Sequence, residues 1–360
     1  MHPPPFRRSA LPPLYISRVP NLTDITIIGG GPTGLFGAFY AGMRGASCRI
    51  IDALPALGGQ LLALYPEKFI FDVAGFRQVL AKDLVREMAE QALQFGCEVR
   101  LDEVVTGLSR VDEAGGIGHF LLETDRDVYP TRTILIAAGI GAFEPRKLAA
   151  DGAEKWEGRG LDYKVLEPRA FAGKRVLIVG GGDSAFDWVV NLEGIAESIT
   201  LIHRRDGFRA HMATVRQVER MQRQGRCTVR TFTEIKAIQG GDRVERVTLV
   251  DTKTRAEETL PFDAVLPQLG FHSDLGSIKD WGLDSDKADI RVDRVMATNV
   301  PGIYAAGDIA SYEGKLKLIA TGVAEACTAV NNAVHYIDPK RKVNPGHSSE
   351  LRIFATQQHG

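Results

Sequence analysis

The chain has four cysteines in 360 residues, Cys48, Cys97, Cys227 and Cys327, and no two of them make a Cys-x-x-Cys pair. That excludes a redox dithiol built from neighbouring residues, and the scatter predicts buried, inert thiols in a reducing cytosol. No histidine cluster has metal-ligand spacing. No apolar run approaches the ~20 residues that cross a bilayer, so no membrane span is expected. A net charge of −1 lacks the basic footprint of a general nucleic-acid binder. The first 21 residues have neither an acid nor an apolar core. Rich in Pro and carrying Arg7, Arg8 and Arg18, they predict a disordered leader rather than a secretory signal. What remains is an ordinary globular composition, 44% hydrophobic and 25% charged. The length suits two domains of ~100–200 residues each.

The first ordered segment is an apolar run of strand length, Asp24 to Gly29, followed by Gly29-Gly-Gly-Pro-Thr-Gly34 and a helical pattern over 35–44. Gly45 stops that helix, and a second strand over 47–52 ends in Asp52. This is a βαβ unit with G-x-G-x-x-G at its first turn. Gly29 permits the tight turn, Gly31 lets the backbone approach a pyrophosphate, and Gly34 lets the helix pack closely on the strand. Asp52 stands where an acid holds ribose hydroxyls.

The pattern recurs. A strand over 175–180 leads into Gly180-Gly-Gly182-Asp-Ser184-Ala185, a helical stretch over 186–193 and a strand over 198–203. Where the first unit has Asp52, the second has His203-Arg204-Arg205. An acid favours free ribose hydroxyls and repels a 2′-phosphate, whereas adjacent guanidiniums grip one. The second turn is therefore predicted to take NADPH, and the first a dinucleotide without that phosphate. Each unit closes on an apolar strand ending in Gly, over 132–139 and 262–270. Between them the pattern predicts helices over 76–95 and 211–223, and strands over 98–108, 119–124, 228–238 and 244–252. A third signal, Ile303-Tyr-Ala-Ala-Gly307-Asp308, precedes a helical stretch over 318–332 and puts an acid at a strand end.

Together these motifs resemble the thioredoxin-reductase-like flavoproteins over residues 24–354. Gly58-Gly-Gln60-Leu61, Leu64-Tyr65-Pro-Glu-Lys68 and Asp72-Val-Ala-Gly-Phe76 are similar to the ferredoxin–NADP reductases of that group. So are Gly139-Ile-Gly-Ala-Phe143-Glu-Pro-Arg-Lys-Leu148 and the segment from Thr321 through Thr328 to Asn332. The resemblance implies FAD contacts at Thr33, Asp52, Gln60, Tyr65, Val105, Phe143, Asp308, Thr328, His347 and Ser349. Tyr65 would stack on the isoalloxazine, Gln60 would bond its polar edge, and Val105 would meet adenine through its backbone. NADPH contacts are implied at Gly182, Ser184, His203, Arg204 and Arg205. Two departures stand out: Cys327 where a helix-entry Pro is expected, and Asp52 where Glu is commoner.

The expected fold is α/β, with two Rossmann-like dinucleotide-binding domains of three-layer open sheets. The FAD domain is expected over 22–142 and 271–360, and the NADPH domain over 143–270. The resemblance implies a homodimer, with domains that rotate so that nicotinamide reaches the flavin, and with ferredoxin or flavodoxin as acceptor. Reduction of a quinone or free flavin, and a non-catalytic redox sensor, are the alternatives. A thioredoxin reductase is disfavoured because 147–165 has no Cys. No acid–base side chain is expected, since the cofactors carry the chemistry.

Overall fold

The computed structural model describes residues 22–113, 116–165, 167–286 and 289–348. Among them are six α-helices: α1 (Pro32–Met43), α2 (Gln60–Leu64), α3 (Ala81–Leu93), α4 (Asp183–Asn191), α5 (Met212–Arg223) and α6 (Ile319–Ile337). The chain divides into two compact units, one formed by the segments up to Phe143 and from Ser273, the other by Glu144–His272. No helix of the described residues is long and apolar enough to cross a membrane.

The first unit is built on five parallel strands in the order Glu98–Arg100, Cys48–Ile51, Thr23–Ile28, Val128–Ile136, Ile303–Ala305. Thr23–Ile28 is buried at five of its six positions, so it reads as a continuous β-branched run rather than an alternating one. Ile25 and Ile27 face a cluster made with α1 and α6, where Ala38, Ala41, Ala326, Ala329 and Ala333 keep the side chains small. Ile28 belongs to a second cluster, with Phe120, Leu122 and Ile136. The strand Val128–Ile136 starts earlier than the expected 132 because Val128–Thr131 pairs antiparallel with His119–Thr124, which in turn pairs with Val105–Val111.

Several boundaries differ from the sequence reading. The helix expected over 76–95 begins only at Ala81, because Val79–Leu80 pairs with Phe69–Ile70 as a short hairpin. The expected strand over 98–108 is two strands, interrupted at Asp102, whose φ is +52°. Cys327 stands in the interior of α6 rather than at a helix entry, so the helix runs on without the break a Pro would impose. Asp308 lies on a 3-10 turn, Gly307–Ile309, and the strand Ala310–Ser311 separates it from α6. The thiols are less buried than expected: only Cys227 is buried and the other three are half-buried. Cys97 immediately precedes the strand that pairs with the strand of Cys48, and the Cys97 side chain, then burial, pushes the Cys48 thiol up.

The second unit has four parallel strands in the order Thr228–Arg230, Ser198–Ile202, Arg175–Gly180, Ala264–Gln268. The helices α4 and α5 supply Phe186, Val189, Val215 and Val218 to a core with Ile178 and Leu201. A three-stranded antiparallel sheet, Thr233–Gly240, Val244–Asp251 and Glu257–Pro261, packs through Ile235 and Val247 in one cluster with Leu177, Ile202 and Val265 of the four-stranded sheet. The expected strand over 228–238 is thus two strands in different sheets, divided at Phe232, which also has positive φ.

Candidate functional site

In the first unit the turn Gly29–Gly31 lies at the C-terminal end of Thr23–Ile28. Gly29 has φ +106°, and a β-carbon on Gly34 would stand 1.9 Å from its carbonyl oxygen, so neither position admits another residue without displacement. Gly31 is the N-cap of α1, and no side chain caps that end. A β-carbon on Gly31 would meet only Gly59 Cα, at 3.9 Å, so there is open space beside Gly31 at the start of α1. The loop 58–60 folds onto the turn through Gly58 N–H donating to Gly30 O (2.8 Å). Gln60, first residue of α2, sets its Nε2 2.9 Å from where a β-carbon on Gly139 would stand.

Asp52 is buried, and its carboxylate accepts the N–H groups of Gly30 (2.6 Å) and Leu54 (2.9 Å). Burial raises its pKa and these two bonds oppose the rise. Each carboxylate oxygen keeps a lone pair for a further donor. The backbone around Val105 is heavily used: the Val105 carbonyl accepts Ser277 Oγ (2.9 Å), while Val104 exchanges two bonds with Asp125 (2.8 and 3.0 Å).

Thr33, on the first turn of α1, packs between Gly307 and Gly322: its Oγ1 would be 2.7 and 2.4 Å from β-carbons on those residues. The structure thereby joins the first glycine turn, the Asp308 turn and α6. Tyr65 belongs to the same region, since burial and then the Asp308 carboxylate raise its pKa. Asp308 is itself raised by burial, opposed by Lys317 and Lys315. The Thr328 hydroxyl is bonded back to Ala324 O (3.0 Å), deep in α6. His347 is exposed near the end of the described chain. Phe143 falls on the strand Ala142–Pro145, but its side chain lies outside the described residues, as does all of Ser349.

The second turn repeats the arrangement with other chemistry. Gly182 is the N-cap of α4, again without a side-chain cap, and a β-carbon on it would meet nothing within 4 Å. Ala185 takes the third position: a β-carbon on Gly180 would lie 2.9 Å from its Cβ, so the small side chain is accommodated only because residue 180 is Gly. Ser184 is exposed on the first turn of α4, and Asp183 beside it accepts the His211 N–H (2.8 Å). The His203 ring packs on Gly181 and tilts against Phe208, with centroids 5.6 Å apart. Burial, then the charges of Arg204, Arg205 and Arg209, hold its pKa below the ordinary value.

Arg209 was not singled out in the sequence. Its N–H donates to Gly181 O (2.7 Å), which ties the loop after Arg205 back onto the glycine turn and adds a third exposed guanidinium near His203. Four residues separate it from Arg204, so no local spacing announced it. Among the described residues no group of His, Cys, Asp and Glu could hold a metal ion.

Fold and site define a pyridine-nucleotide oxidoreductase with two dinucleotide turns of opposite charge. The family model for pyridine nucleotide-disulphide oxidoreductases matches residues 23–332. A ferredoxin–NADP reductase of Halalkalibacterium halodurans is 50% identical over 337 residues, 93% of this chain and all of that protein. One of Bacillus thuringiensis strain Al Hakam is 51% identical over 329 residues, 91% of this chain and 97% of its own. Among solved structures, thioredoxin reductase from T. acidophilum superposes with a TM-score of 0.73 at 26% identity, covering 89% of this chain and all of that one. The chain belongs to the pyridine nucleotide-disulphide oxidoreductase family, within its group of ferredoxin–NADP reductases.

Proposed function

We propose that the chain transfers electrons between NADPH and a ferredoxin or flavodoxin, with FAD in the first unit and NADPH on the second. The observation that carries this reading is the contrast between the two turns: buried Asp52 at one, His203 with three exposed arginines at the other. Both turns fit a pyrophosphate, because α1 and α4 present uncapped N–H groups beside glycines with open space.

In this reading Gly29, Gly31, Thr33 and Gly34 hold the FAD pyrophosphate, and the spare lone pairs of Asp52 take ribose hydroxyls. Gln60, Tyr65, Val105, Phe143, Asp308, Thr328, His347 and Ser349 surround the rest of that cofactor. Gly180, Gly182 and Ser184 receive the NADPH pyrophosphate, and Arg204 and Arg205, with His203, bind its 2′-phosphate. FAD, when bound, accepts a hydride from NADPH and passes on two electrons one at a time. The protein supplies binding and orientation. A second copy of the chain as homodimer partner belongs to the same reading, as do domain bounds of 22–142 with 271–360 for FAD and 143–270 for NADPH.

The test is a stopped-flow experiment under anaerobic conditions. NADPH is expected to bleach the flavin band, and oxidised ferredoxin added next to restore it. A flavin that NADPH cannot bleach, or protein that takes up no FAD, contradicts the proposal.

A further inference from the structure

Glu325 is an acidic residue on α6 that is only 4% exposed, set among alanines. Its Oε2 accepts the Gly307 N–H at 2.8 Å, its Oε1 accepts the Tyr312 hydroxyl at 2.5 Å, and Lys315 Nζ lies 2.5 and 2.6 Å from the two oxygens. The Lys315 and Glu325 side chains are 7% and 5% exposed. A buried ion pair of this kind seldom stabilises a fold more than apolar residues of the same shape would, because both charges must be desolvated. Stability alone therefore does not account for it.

What it does locally is specific. Gly307 has φ +81° and stands against Thr33, so the turn carrying Asp308 is held on one side by the first glycine turn and on the other by the Glu325 carboxylate. Lys315 is bonded to Glu325, and its charge, after that of Lys317, opposes the burial that raises the Asp308 pKa. Without an acceptor at residue 325 the Gly307 N–H, buried under α6, is left unpaired and the turn loses the bond that sets its height over Thr33.

We propose that Glu325 is a positioning residue for FAD: through the Gly307 N–H it fixes the turn that presents Asp308 to the cofactor, with Lys315 and Tyr312 completing its hydrogen bonding. This rests on the reading that FAD occupies the first unit.

The test compares two double variants that both remove the buried charges and differ in the acceptor offered to Gly307. Lys315→Met/Glu325→Gln keeps a side-chain carbonyl there, and Lys315→Met/Glu325→Leu does not. Each protein is stripped of flavin, its fold is checked by circular dichroism, and FAD is titrated in while quenching of flavin fluorescence is followed. The Gln variant is expected to bind FAD within about threefold of the unmodified chain, and the Leu variant about tenfold or more weakly. Equal binding by both variants, whether strong or weak, overturns the proposal. Should the Leu variant not fold, the Gln variant decides alone: FAD affinity near that of the unmodified chain supports the role, and loss of FAD overturns it. Absence of FAD binding by the unmodified chain would instead refute the cofactor assignment itself.

Discussion

The imidazole of His203 lies directly on Gly181: a β-carbon on that glycine would stand 2.4 Å from the ring. The second dinucleotide turn and the cationic segment after Ser198–Ile202 are thus fitted to each other, and the fit depends on residue 181 having no side chain. Gly181→Ala should push His203 out of place while leaving the first unit untouched. Overpacking of this kind costs ~1–3 kcal/mol, so KM for NADPH is expected to rise about tenfold with unchanged flavin content. Steady-state kinetics together with the flavin absorbance of the purified variant checks both halves.

Arg204 and Arg205 are exposed and make no ion pair among the described residues. If they grip a 2′-phosphate, replacing both by Ala should raise KM for NADPH on the order of 100-fold and leave NADH nearly unaffected. Equal losses with the two nucleotides would make the pair structural.

The glycine turns and the strands Thr23–Ile28, His119–Thr124 and Arg175–Gly180 were legible in the sequence because these strands carry short, largely apolar runs and each turn has a fixed glycine spacing. The strand Glu257–Pro261 was not, since two glutamates and a proline give it the composition of a loop and only its pairing with Val244–Asp251 makes it a strand. The same limit hid part of the site. Arg209 reaches the second turn through a backbone bond to Gly181, and Glu325 reaches Gly307 across 18 residues of sequence. Contacts made only by folding leave no local pattern.

Asp263 gives a pH-dependent prediction for the second unit. It accepts the Arg175 backbone N–H (2.9 Å) and two guanidinium N–H groups (2.8 and 2.6 Å), which hold its pKa down to about 2. A depressed carboxylate pKa stabilises the fold above the ordinary value of 3.8, and that contribution is lost as pH falls through about 2. Both side chains are a third exposed, so solvent screening reduces the effect to ~1 kcal/mol. Asp263→Asn should lower stability by that amount in urea unfolding at neutral pH, and the deficit should shrink in acid. A deficit that is constant with pH would assign it to packing.

The C-terminal segment offers a direct deletion. His347 is exposed at the end of the first unit's described chain. If the tail covers the isoalloxazine, removal of residues 346–360 should shift the flavin absorption bands and change turnover. A variant with unaltered spectrum and rate would leave His347 without a role.

Arg216, Arg220 and Arg223 lie exposed on α5 and, like Arg204, Arg205 and Arg209, make no ion pair among the described residues, which suits an acidic partner whose docking slows as salt rises. The decisive measurement is steady-state NADPH oxidation with ferredoxin plus cytochrome c, run beside thioredoxin plus a disulfide dye. Rapid, salt-sensitive reduction of cytochrome c through ferredoxin or flavodoxin is expected, and none of the disulfide. Brisk thioredoxin reduction with every ferredoxin and flavodoxin inert would contradict it.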